Sequence, residues 1–257
     1  MSLLKRLTAA LLGLGDAPED PADRTHAIAR LEGEFGVRVA ESHPKGGARR
    51  LRVAELALLA ETLALLGPRF YGPFHADPIR LWVDPNPGGG GYGHKALRIG
   101  EPGADLSQLY RVFLHEATHA SNEYRGWPYE RTWCTLPGLD WREGAGGWTH
   151  PRQQGRPVQP GAWETLPVSA RDVSTAPGED LAEAVRYYVH SVKDERAYLW
   201  PLDLRQPPLY LWDTSPTRFV LVRDHFLGLP ERHPWYRRLT PEQEARAAAN
   251  LSGLAPA

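Results

Sequence analysis

The chain has 257 residues, is 42% hydrophobic and carries a formal net charge of −1, with Lys and Arg scattered along it. It can therefore bury a sizeable core as one domain, alone or with a small appendage, and it lacks the basic face that nucleic acid or an anionic membrane requires. One cysteine, Cys134, excludes an internal disulfide framework and a four-cysteine metal site, and among Trp127, Tyr129 and Trp133 it reads as a buried spectator thiol.

The first fifteen residues, MSLLKRLTAALLGLG, pair Lys5 and Arg6 with a short apolar run. That outline fits a weak signal peptide, but Leu4, Leu7, Leu11 and Leu14 also share one helical face. An amphipathic helix in a cytoplasmic protein is the reading taken, with secretion as the alternative. No stretch is long and apolar enough to span a bilayer. Residues 16–24 (DAPEDPADR) read as a proline-broken linker, which divides the chain into residues 1–24 and a main domain over 25–257.

Within that domain the pattern predicts a helix from His26 to Phe35 and a short strand from Gly36 to Ala40. A strongly apolar helix, Val53 to Leu66, ends at Gly67-Pro68. Ile79 to Val83 reads as a strand cut off by DPNPGGGGYG, a loop whose glycine tract forms a flexible rim of a cleft. The tract lacks the Lys-Ser/Thr of a phosphate loop. Ala96 to Ile99 (ALRI) is expected to be an edge strand. Asp105 can cap the next helix, whose apolar positions Leu106, Leu109, Val112, Phe113, Leu114, Ala117 and Ala120 mark it as central. Residues 125–172 follow, rich in Trp, Gly and Pro, and an insertion of that length usually shapes a cleft. A helix is expected from Pro177 through LAEAVRYYVHSVKDERAYL, another from Pro216 to Leu227, and a last one behind the capping box Thr240-Pro241-Glu242-Gln243.

The chemistry is concentrated in FLHEATHA. Four residues turn a helix by about 400°, so His115 and His119 stack on one face about 6 Å apart along the axis and can reach one zinc ion. Glu116 lies about 100° round from His115, within reach of a water at that metal. A catalytic zinc needs a third protein ligand and an open fourth position. No third His follows, because the chain continues ASNEYRG. The best candidate lies in PGEDLAEAVRYYVH, where Glu179 sits in a first helical turn that favours a carboxylate. Glu183 shares its face and is suited to accept the outer N–H of a ligand His. Asp180 points about 100° away and is expected to leave the metal untouched.

HEATHASNEY followed by EDLAEAVRYYVHS resembles the zinc domain shared by anthrax lethal factor and related metallopeptidases, within the gluzincins. The likeness extends over roughly residues 51–228, through VAELALLAETLALLG, IRLWV and SPTRFVLVRDHF, although only the two metal motifs are specific. It implies one zinc held by His115, His119 and Glu179, with Glu116 as general base and Glu183 behind the ligands. Two departures stand out. Thr118 occupies a position where the family commonly has Gly. The tyrosine that usually precedes the glutamate motif and steadies the oxyanion is missing from VSARDVSTAPGED. Arg171 is the first substitute for it; Tyr187, His190 and His150 are the others.

The expectation is an α+β, zincin-like domain. It has a small mixed sheet, an active-site helix carrying HExxH and a second helix carrying the Glu ligand. It would hydrolyse peptide bonds of a peptide or protein substrate paired along ALRI, with the tryptophan-rich insertion as the far wall. The alternative is a non-proteolytic zinc-binding interaction module on the same fold.

Overall fold

A computed structural model describes residues 20–40, 50–87, 89–101, 106–125, 133–135, 139, 141–145, 147–149, 177–193 and 210–252. The N-terminal run, Asp105, His150 and Arg171 with Asp172 lie outside the described residues. The chain divides into two compact units, residues 1–125 and 126–257. The architecture is mixed α+β, mostly helical, with one small mixed sheet.

The first unit opens on a helix, Pro21–Phe35, that starts five residues earlier than its apolar pattern suggests. Asp20 accepts a hydrogen bond from the Ala22 amide at 2.8 Å, and Pro21 occupies the first turn, where its missing N–H costs nothing. Residues 21–24, expected to be linker, thus begin the helix. Gly36 ends this helix at φ 67°, and a Cβ there would meet the Phe74 carbonyl oxygen at 2.4 Å, so only glycine fits. Strand β1 (Val37–Val39) follows. The helix Val53–Leu66 has the expected bounds, and Leu56, Leu59, Leu63 and Leu66 bury its core face against the helix Pro21–Phe35 and its neighbours.

The sheet departs from expectation in two places. Strand β2 (Ile79–Pro87) runs past Val83, and Gly90–Gly93, expected to be loop, forms strand β3. The order is β1-β2-β4-β3, with β4 spanning Ala96–Glu101. Strand β4 is parallel to β2 (Leu81 opposite Leu97) and antiparallel to β3 (Tyr92 opposite Leu97). ALRI is therefore interior, and the edges of the described sheet are β1 and β3. The reason is a two-residue turn at His94-Lys95, both at positive φ (51° and 58°), which folds the glycine strand back onto β4. Ile79, Leu81, Leu97 and Ile99 are buried, and the long helix Leu106–Arg125 packs on β3 and β4.

In the second unit a small hairpin joins Arg142–Gly144 to Gly147–Thr149. The helix Pro177–Lys193 is its core, buried from Asp180 through Ser191. The run expected as one helix from Pro216 to Leu227 changes winding: Pro216–Val220 is α, and Leu221–Phe226 is π. The Leu227 amide then reaches back five residues to the Val222 carbonyl at 2.8 Å. The last helix, Pro241–Leu251, starts with the expected reciprocal cap between Thr240 and Gln243. Among the described residues no helix is long and apolar enough to cross a membrane.

Candidate metal centre

The helix Leu106–Arg125 has two unlike sides. Leu109, Phe113, Leu114, Ala117 and Ala120 are buried, while Val112, His115, Glu116 and His119 are half-buried. The apolar side holds the helix on the sheet, which leaves His115, Glu116 and His119 on a partly accessible stripe. The imidazole Nε2 atoms of His115 and His119 are 3.1 Å apart. Two nitrogens bound at about 2.0–2.1 Å to one tetrahedral ion stand roughly 3.3 Å apart, so the pair is close to the spacing a shared metal needs. The same spacing suits an N–H···N hydrogen bond in one tautomer.

Thr118 is fully buried, and its hydroxyl donates to the Leu114 carbonyl at 2.7 Å, one turn back in its own helix. Beside the stripe lies Gly90 of β3. A Cβ at that position would come within 2.2 Å of Val112 Cγ1 and 3.1 Å of Glu116 Cγ.

Glu179 is half-buried in the first turn of the helix Pro177–Lys193, as expected. His115, His119 and Glu179 each offer one ligand atom, and these atoms all lie within 4.8 Å of one another. Two neutral imidazoles and a carboxylate are a donor set that fits a borderline divalent ion and leaves room for further ligands. The group could hold a metal ion.

The rest of that helix is more heavily used than its spacing suggests. Glu183, expected to brace a ligand His, pairs with the Arg186 guanidinium one turn on. Tyr187 and His190, two of the alternatives for the oxyanion role, are buried in the second unit. Asp180, expected to leave the metal untouched, is held in a built environment. Its Oδ2 accepts from Trp133 Nε1 at 2.8 Å, Trp141 Nε1 at 3.0 Å and Arg218 at 2.8 and 3.1 Å. Asp180 is fully buried and Arg218 nearly so. Two tryptophans of the long insertion thus belong to the core around the start of this helix. Cys134, beside Trp133, is buried and in no disulfide, in line with the buried-thiol reading. Trp133 and Trp141 lie 47 and 39 positions before Asp180, and Arg218 lies 38 after it. No local pattern announces such a cluster; the tryptophan density of the insertion was the one visible signal.

Comparison of the chain with family models, curated proteins and solved structures finds no match in any of the three.

Proposed function

We propose that this protein is a zinc-dependent metallopeptidase of the gluzincin type, similar to the lethal-factor zinc domain. The observation that carries the reading is the His115, His119 and Glu179 group, with Glu116 on the same half-buried stripe as the two imidazoles. The donor set fits zinc, which supplies Lewis acidity when bound, polarising a peptide carbonyl and acidifying a water molecule.

Glu116 then takes the proton from the attacking water and delivers it to the leaving amine. Arg171 is assigned to the developing oxyanion, in place of the family's tyrosine. Substrate pairing moves from ALRI to β3, since β4 already has strands on both sides and β3 is the edge strand that the HEATH helix packs against. An extended peptide lies along Gly90–Gly93, where the glycines on either side of Tyr92 leave the backbone approachable.

The test has two arms. The purified protein carries about one zinc per chain, the capacity of a single site of this kind, and His115→Ala or His119→Ala loses it. Glu116→Gln keeps the metal while cleavage of unfolded casein falls by about 10²–10⁴-fold. Full zinc in both His variants places the site elsewhere. Zinc without any casein cleavage in the wild type would instead favour a non-proteolytic interaction module.

A further inference from the structure

Glycine at position 90 is not required by its backbone dihedrals, because the glycines at positive φ are Gly36, Gly67, Gly89 and Gly228. Its requirement is one of space. A Cβ would meet Val112 Cγ1 at 2.2 Å, the Arg98 carbonyl oxygen at 2.9 Å and Glu116 Cγ at 3.1 Å. The first two contacts are closer than real Cβ atoms tolerate, and the third would press directly on the side chain of the residue assigned as base.

The other glycines of the strand differ. At Gly91 a Cβ would meet the end of the flexible Arg98 side chain, at 2.8 Å. At Gly93 it would meet nothing within 4 Å. The pressure on Glu116 is specific to position 90.

Gly90 and Tyr92 point to the same face because side chains alternate along a strand. Val112, Glu116, His119 and Glu123 are spaced four, three and four residues apart, which puts them on one helical stripe. Gly90 meets this stripe at Val112 and Glu116. Burial, and then the Glu123 carboxylate, raise the Tyr92 phenol above its ordinary range, so it stays protonated. The bare backbone of the strand thus lies at Glu116.

We propose that Gly90 is a positioning residue for Glu116: its missing side chain lets the edge strand close on the Glu116 stem, which limits the rotamers open to the base. This rests on the metallopeptidase reading. The close approach lowers the number of directions the carboxylate can take, so less ordering is left for the moment of proton transfer.

The experiment compares Gly90→Ala, Gly93→Ala and Glu116→Gln in the full chain, with cobalt(II) as a spectroscopic substitute for zinc. Gly90→Ala takes up one metal per chain, changes the visible cobalt bands in the direction that Glu116→Gln does, and cleaves unfolded casein about 10–100-fold more slowly. Gly93→Ala, whose Cβ meets nothing within 4 Å, matches the wild type in uptake and in the cobalt spectrum. Adding Val112→Ala to Gly90→Ala removes the atom at 2.2 Å and recovers part of the loss.

A Gly90→Ala protein that matches the wild type in both spectrum and turnover overturns the proposal, and so does a Gly93→Ala protein with the same change in the cobalt bands. Loss of helical signal and metal uptake in Gly90→Ala, unrelieved by Val112→Ala, would make the glycine a folding requirement and also overturn it. A wild type that takes up no cobalt or zinc defeats the metal reading itself, and this proposal with it; intact uptake with an unperturbed Gly90→Ala defeats this proposal alone.

Discussion

The two helices that supply the candidate ligands solve opposite problems. The HEATH helix is amphipathic, with one apolar side on the sheet and its chemistry on a half-buried stripe. The helix Pro177–Lys193 is buried nearly all round, and Glu179 sits at its partly accessible beginning. In the first helix the groups that hold the fold and the groups that do chemistry occupy different sides. In the second they are neighbours in sequence: Glu179 is a candidate ligand and Asp180 is a fully buried hub. Substitutions on the HEATH stripe should therefore alter chemistry with little change in stability. Substitutions in the other helix should couple the two.

Asp180→Ala tests that coupling most severely. Removing the carboxylate leaves the Arg218 guanidinium and two indole N–H groups buried without their shared acceptor. Breaking a buried pair from one side costs about 3–5 kcal/mol, and denaturant unfolding should show a loss of that size. Helical spacing alone would have Asp180→Ala binding metal almost normally. The hub instead predicts weakened metal binding along with the lost stability, because Glu179 is the adjacent residue. A variant as stable as the wild type would remove the distinction between the two helices.

Glu179 and Glu183 sharpen the comparison within one helix. Glu179→Ala should cause the larger loss of zinc affinity in chelator competition, since it removes a ligand. Glu183→Ala should cost about 10–100-fold, the usual effect of a group that braces a ligand. It also releases Arg186 from a nearly buried ion pair, so a fall in melting temperature should accompany it. Equal affinity losses without any change in melting temperature would put Glu183 on the metal as well.

Thr118→Ala has the smallest expected effect. The hydroxyl is satisfied inside its own helix and touches only the fold-holding side, so its loss should lower stability by about 1 kcal/mol while zinc content is unchanged. A large effect on zinc would show that the two sides of the HEATH helix are not independent.

What the sequence determined by itself is local. Two His four apart with a Glu between them, a Glu in a first turn, the bounds of Val53–Leu66 and the Thr240 cap all depend on residues within one or two helical turns. Periodicity and capping chemistry act at that range, so those features can be read along the chain. The strand order was decided by tertiary structure, since DPNPGGGGYG has the composition of a loop, yet Asp84–Pro87 extends β2 and Gly90–Gly93 becomes β3, both through pairing with β4. The closeness of Gly90 to Glu116 follows from that pairing and from the packing of the helix on the sheet. The Asp180 hub likewise joins residues 38 to 47 positions apart. Burial makes an unpaired carboxylate so costly that partners must be found wherever the fold brings them, and no spacing along the chain records where that is.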